Sequence, residues 1–525
     1  MENELPCGRS IHPSAVDVVP VCLMHSLDPA KDTTLFDQEF NRIIAASAAS
    51  GGIADFTRFV FRAAIYWNKQ FPSPCVFDEA KFLGQTSFQK AKFEQGVRFK
   101  KTTFGSAEHS EPVYFTKTHF RGKTEFHTVT FWDDAHFSTT FEGDTAFTMS
   151  IFEKEAGFYG ATFEGEAYLG SVQFKGPAVF PRTTFRKKAN FGNATFSQHA
   201  FFAKATFEYP VSFIATTFTQ PAHFADTSFL KGATFYQAKF LDAAEFRETR
   251  FLSDSERFPS LVFAQTELTR PEAILFFMTD LSRALFLNRD ISQINFSSVD
   301  WGKRANGKRR LFEERVSLDF EDFKALRPKQ DDPNPRNYQL IAETYQQLKK
   351  NYDDRKDYWT AGDFHYGEME MKRLHSPRRN KVIRWLHSHL GLIAWYRYAS
   401  EYGESYVRPL LVLLIVILLF TFLFPIPGLV FTRPDSASPS PPPFSPLNYG
   451  DLATYIRASH SPKWIAALGF FGHSLMTTLS VAGFQKELIY QPAYPWGRAL
   501  ALLELLLTST LIALFLLALR RQFRR

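Results

Sequence analysis

The sequence predicts a coiled solenoid of very short β-strands, followed by a helical neck and a pair of membrane-crossing helices. Three observations carry this. Phenylalanine recurs in alternating steps of five and six residues, from Phe77, Phe82, Phe88, Phe93, Phe99 and Phe104 onward to Phe246 and Phe251, so the true period is eleven. A small or β-branched residue stands two places before nearly every ring, as Ala91 before Phe93, Val97 before Phe99, Ala161 before Phe163, Ala205 before Phe207 and Ala233 before Phe235. Finally, the runs Leu410 to Phe431 and Ala499 to Leu519 contain no Lys or Arg.

The period decides the geometry. An amphipathic helix places apolar residues three and four apart, and an ordinary strand alternates over a longer stretch. A small residue and a Phe two apart point to the same side of a very short strand, and the polar residues between supply a corner. The chain must coil, each ring stacking on its equivalent one coil on, as fixed repeats of this kind do.

The period tightens to a strict five in Asp280-Leu281-Ser282-Arg283-Ala284, Leu285-Phe286-Leu287-Asn288-Arg289, Asp290-Ile291-Ser292-Gln293-Ile294 and Asn295-Phe296-Ser297-Ser298-Val299. Here the segment resembles the pentapeptide-repeat family. The resemblance implies a right-handed quadrilateral β-helix over residues 77–301, with Phe93, Phe163, Phe207, Phe235, Leu281, Phe286, Ile291 and Phe296 in its core. At about 4.8 Å per rung, and with two eleven-residue periods to a coil, the rod is roughly 50 Å long. A solenoid needs covered ends. Residues 1–76 are read as an N-terminal segment and cap, helical around Phe40 to Ala49, and residues 302–335 as a basic linker and second cap.

Residues 336–375 read as a helical hairpin, Arg336 to Tyr352 and Tyr358 to Leu374 around an acidic and basic turn. It is similar to a single tetratricopeptide-type unit, with Ala342, Tyr345, Leu348 and Tyr352 before the turn and Ala361 and Tyr366 after it; a cap on the solenoid or a joint between subunits is the plainer expectation. Residues 376–407 place Trp385, Leu386, Leu390, Ile393, Trp395, Tyr396 and Tyr398 among basic residues, which suits a helix in the lipid headgroup layer.

Residues 408–525 form the membrane domain, with spans expected at about 408–431 and 498–519. Lys372, Arg373, Arg378, Arg379, Lys381, Arg384, Arg397 and Arg408 precede the first run, and Arg520, Arg521, Arg524 and Arg525 follow the second. The positive-inside rule puts both termini in the cytosol of a multi-pass inner or plasma membrane protein. The start of the chain, with Glu2, Glu4, Pro6 and Pro13, lacks the basic and apolar run of a signal peptide.

The intervening loop opens with the proline- and serine-rich stretch Pro434 to Pro446 and turns apolar from Trp464 to Leu479. That second part is read as a short helix re-entering the membrane over about 464–484. Thr477, Thr478, Ser480, Val481, Ala482, Gly483 and Phe484 follow it in the order of a pore loop. Helix, pore helix, filter and second helix resemble the two-transmembrane potassium-channel family, which implies an ion-channel-like domain, four subunits around an axis and an inorganic cation as passenger. The resemblance weakens at the filter, where Ala482 stands in place of an expected glycine. Glu504, inside the second apolar run, either faces a pathway or is wetted near Arg498.

Composition narrows the function classes. The net charge of +7 lies in Lys303, Arg304, Lys308, Arg309, Arg310, the segment before the first span and the C-terminal tail, so it reads as attraction to the lipid bilayer. No nucleic-acid-binding motif accompanies it. Cys7, Cys22 and Cys75 have neither zinc-site nor disulfide spacing. No cofactor motif, metal cluster or catalytic constellation is legible, and His109, His119, His127, His136, His199, His223, His387 and His389 are scattered, so an enzyme is not expected. Two functions remain open: an oligomeric ion-conducting pore joined to a cytosolic β-helical scaffold, and a non-conducting, membrane-tethered scaffold for an unknown protein partner.

Overall fold

The computed structural model describes residues 9–12, 14, 16–315, 336–376, 380–431, 447–459, 461–483 and 490–524. It divides into two compact units. The first is a parallel β-solenoid of about eleven turns, whose strands, nearly all two residues long, line up in four parallel sheets of 11, 10, 11 and 9 strands. Ala54 pairs with Cys75 and Cys75 with Val97, so a regular coil takes 21 or 22 residues, two of the eleven-residue periods.

The five-six alternation has a local cause. In a five-residue step the second residue after the ring adopts a left-handed conformation, as at Lys90 (φ 58), Lys101 (φ 57), Lys204 (φ 59) and Asp226 (φ 56). The six-residue step turns through a wider bend that brings successive coils into backbone contact. There a Cβ on Gly165 would stand 2.4 Å from the carbonyl carbon of Gly143, so only glycine fits.

The core is a set of ring columns. Phe137, Phe158, Phe180, Phe202, Phe224, Phe246 and Phe276 stack nearly parallel, with centroids 4.7–5.0 Å apart from one coil to the next. All eight core positions expected from the sequence, Phe93, Phe163, Phe207, Phe235, Leu281, Phe286, Ile291 and Phe296, are buried. Threonine at the small position does more than fill space. Thr102, Thr183, Thr216 and Thr227 each donate a buried hydroxyl to the Phe carbonyl 25 residues earlier, at 2.6–2.8 Å, and so stitch the corners of adjacent coils.

The solenoid begins earlier than the residue 77 expected. Its first strand is Ala54–Asp55, and the preceding helix α1 (Thr33–Ser50) is the cap. Asp32 starts α1 by accepting the N–H groups of Thr34 and Leu35, and Gly51 ends it in a left-handed turn. Its buried Phe40 meets Phe56 at 4.6 Å and its buried Phe36 meets Phe61 at 5.3 Å, which covers the first rings.

At the other end an antiparallel ribbon pairs Gly302–Lys303 with Arg309–Arg310, and the middle of helix α2 (Tyr338–Asp354) closes the last coil. Asn351 Nδ2 donates to the carbonyls of Ser292 and Ile294 at 2.9 and 2.8 Å, and Gln347 Oε1 accepts from Ile291 N–H at 3.2 Å. The buried Tyr345 hydroxyl donates to Glu314, which also pairs with Arg304. Residues 316–335 of the expected basic linker lie outside the described residues. Glu313, beneath the last coil, is buried with one oxygen accepting from Phe286 N–H at 2.7 Å and the other without a partner among the described residues. Burial pushes its carboxyl up to about 7.

In the second unit, helix α3 (Tyr358–Leu374) starts at its cap Asp357. The expected single headgroup-layer helix is instead two, α4 (Lys381–Leu390) and α5 (Leu392–Ser400), broken at Gly391. Trp385, Leu392 and Trp395 stay exposed on them.

Two outcomes follow for the solenoid. Thr183→Val removes a buried donor but not the turn bond that Ala161 N–H makes to the same Phe158 carbonyl, so a urea titration should show a loss of about 1 kcal/mol. For Glu313, a carboxyl raised in the folded state is destabilising only once it ionises. The penalty is absent below about pH 4.5, grows as pH rises to about 7 and is then constant, on the order of 3 kcal/mol. Glu313→Gln should therefore slow hydrogen exchange in residues 281–301 at pH 8 and change little at pH 4.5.

Candidate membrane domain and its buried carboxyl

Among the described residues two helices are long and apolar enough to cross a membrane, α8 (Lys463–Ala482) and, within α9 (Pro495–Arg524), residues Pro495–Phe523. The first expected span is shorter than its sequence run. Helix α6 (Val407–Leu423) stops before Pro425, and residues Leu429–Phe431 form a strand instead. Its 17 residues correspond to about 26 Å of helix, at the lower limit for a span. Both α6 and α9 are apolar all round and turn large side chains outward, with Ile415 63% and Leu506 66% exposed. Such a surface belongs in lipid or against another chain.

The ends of α6 and α9 are tied to each other in antiparallel fashion. Leu429–Phe431, after α6, pairs with Tyr490–Pro492, just before α9. At the opposite end Arg521 of α9 donates to the carbonyl of Tyr402, just before α6, at 2.9 Å. The short helix α7 (Leu452–Ala458) and α8 lie between them in sequence. Phe420, Phe424, Leu429, Leu447, Phe470, Val481 and Tyr490 form the common core.

The pore-loop expectation is corrected in conformation. Thr477, Thr478, Ser480, Val481 and Ala482 do not leave the helix as an extended filter; they are the buried last turns of α8, and Gly483 caps them. The reason is local. Thr477 and Thr478 turn their hydroxyls back onto the carbonyls of His473 and Ser474, both at 3.1 Å, so helical backbone satisfies them in apolar surroundings. Ala482 adds helix propensity where a filter needs a second glycine. Phe484 and the Pro434 to Pro446 stretch lie outside the described residues. Ser474 Oγ donates to the carbonyl of Thr421 at 2.6 Å and fastens α8 to the end of α6.

Glu504 lies on α9. It is 0% exposed, and neither carboxyl oxygen has a partner among the described residues. Thr508, one turn on and equally buried, donates to the Glu504 backbone carbonyl at 2.9 Å.

Sequence reasoning missed the polar cluster at the base of the domain. Glu370 of α3 is buried and accepts from Arg373 at 2.9 Å and from the Tyr402 hydroxyl at 2.6 Å, with Arg397 of α5 at 3.2 Å. Burial raises its pKa, but the bonds from Arg373 and Tyr402 outweigh that and hold the carboxyl below its usual range. Three left-handed residues in a row, Glu401, Tyr402 and Gly403, bring Tyr402 to both Glu370 and Arg521. A Cβ on Gly403 would lie 2.8 Å from the Tyr396 hydroxyl. The only sequence signal was the Glu370 and Arg373 pair one helical turn apart.

An enclosed carboxyl without a partner is a cost that a purely structural helix would not keep. Glu504→Leu should therefore raise the melting temperature of the detergent-solubilised protein by several degrees, equivalent to about 1–3 kcal/mol. A fall would show that the carboxyl is bonded in the folded protein.

Comparison with known families matches residues 70–108 to pentapeptide repeats (9 copies). No curated protein matches the chain. The matched segment runs from the fourth side of the first coil, Gln70–Phe71, through the whole second coil to two sides of the third, ending past Thr103–Phe104, and has the same ring spacing as the rest of the rod. Within the β-solenoid, residues 70–108 thus match pentapeptide repeats.

Proposed function

We propose that the chain is a membrane-held pentapeptide-repeat scaffold whose C-terminal helices assemble, through a homo-oligomer, into a channel-like pore. The observation that carries this reading is how far α8 reaches. The ring of His473, midway along α8, lies 5.1 Å from the ring of Tyr490. Tyr490 is in the ribbon that joins the end of α6 to the start of α9. From His473 to Ala482 the helix advances about 14 Å, against roughly 30 Å of hydrocarbon. Six residues, 484–489, then separate Gly483 from Tyr490. That supports a helix that dips in and returns on the same side, while α6 and α9 are the two spans. The basic residues Arg408, Arg520 and Arg521 at one end of the pair favour both termini in the cytosol.

A dipping helix places its C-terminal end, with its partial negative charge, at mid-depth, where it favours cations. One two-span unit with one such helix encloses no pathway, so conduction requires several copies around an axis. The exposed Trp385, Leu392 and Trp395 support a headgroup-layer role for α4 and α5. The second reading, a tether that conducts nothing, is favoured by the helical state of Thr477 to Ala482, which forms no extended filter, and by the enclosure of Glu504.

Purified protein in liposomes, with native mass measured in the same detergent, distinguishes them. The pore reading expects a tetramer and a cation flux that Gly483→Pro reduces at least tenfold. A monomer with no flux of any monovalent cation leaves the tether alone.

A further inference from the structure

We infer that His199 and His223 form a zinc-binding site on the outer surface of the third sheet, where consecutive coils bring them together. The strands Ala200–Phe201 and Ala222–His223 are neighbours in that sheet, with Phe201 beside His223. Ala200 and Ala222 point inward and are buried, whereas both histidines are partly exposed. The coil closes a separation of 24 residues and leaves His199 Nδ1 3.3 Å from His223 Nε2.

Phe201 fixes the two rings. Its own ring is nearly parallel to both, with centroids 5.6 Å from His199 and 5.0 Å from His223, and the imidazoles are 9° from parallel to each other. Side chains already held in place bind a ligand without the cost of ordering them. On the next rung Glu245 stands beside His223. Its Oε2 is 3.9 Å from His223 Nδ1 and 3.5 Å from Arg247 Nε. A carboxylate on that side favours a proton on Nδ1, which leaves Nε2 with a lone pair to give.

The spacing selects the ion. Two nitrogens bound to one tetrahedral zinc at about 2.0–2.1 Å each lie about 3.3–3.4 Å apart. At a square-planar ion the same pair closes to about 2.8–2.9 Å. Without a metal the contact is a single hydrogen bond, in which one ring nitrogen donates to the other. On binding, that proton moves to the second nitrogen of its own ring and both lone pairs turn to the ion, so no proton has to leave the protein. Among the described residues no group of three or more histidine, cysteine or carboxylate side chains could hold a metal. The pair therefore supplies two of four positions and water the others. Four protein ligands make a closed structural site; two make an exchangeable one, which clamps adjacent coils when zinc is present.

The test uses full-length, tag-free protein in detergent, stripped with EDTA and dialysed. Calorimetric titration with zinc chloride should show a saturable site that His199→Gln and His223→Gln each weaken at least tenfold. Glu245→Gln should weaken it about tenfold, as loss of an outer partner does. The metal-free variants should melt with the parent, since surface exchanges cost little. A measurement on the unmutated protein stands apart from their folding: zinc, but not magnesium, which prefers oxygen ligands, should shield both histidines from diethylpyrocarbonate, read by peptide mass spectrometry. No saturable zinc binding, or affinity unchanged in any of the three variants, overturns the proposal. So does a histidine of the pair that stays as reactive in zinc as without it, or equal shielding by magnesium.

Discussion

The solenoid rests on one coincidence of lengths: backbone rungs repeat about every 4.8 Å, and phenylalanine rings stack, offset, at 4.7–5.0 Å. Each rung's hydrogen bonds and each column's ring contacts therefore favour the same spacing, and neither strains the other. A coil can add residues only at a corner, away from the columns. The chain does this between Gly105 and Val113 and again between Leu252 and Leu261 without interrupting the first face. Because a column has no natural end, its terminal rings must be covered. Phe36 and Phe40 do so at the start, and Tyr345 with Asn351 closes the other end through polar bonds.

The membrane domain answers a different constraint. Hydrocarbon leaves backbone groups no partner but one another, so residues that in a filter would turn their carbonyls to an ion remain helical unless glycines release them. This chain lacks those glycines, and its threonine hydroxyls fold back onto the helix. What it retains is the order of elements, with α6, α8 and α9 following one another along the chain. It also retains a carboxyl in a setting where charge is costly. The base of the domain is polar by contrast, with Glu370 holding Arg373, Arg397 and Tyr402 together.

Much of this was legible in the sequence, and the divisions have physical causes. Ring spacing reports the coil directly, because every ring must lie over its equivalent; hence the core positions and the two-period coil could be read. The beginning of the rod could not, since Tyr66 and Cys75 replace the expected residues in the first coils and break the pattern by which the rod is recognised. The end of α6 was overestimated because an apolar strand, Leu429–Phe431, continues the hydropathy of the helix before it. The length of α8 was underestimated because a motif resemblance at Thr477 to Gly483 outweighed helix propensity. The Glu370 cluster depends on residues far apart in the chain, and no local pattern announces it.

The most direct test of the account is amide hydrogen exchange across the full-length protein before and after Phe180→Ala. Removing one ring from the middle of a column costs about 3–5 kcal/mol. If columns and rungs support each other, protection should fall in the rungs of Phe158 and Phe202 as well as at Phe180. Loss confined to residues 178–182, with neighbouring coils as protected as before, would contradict it.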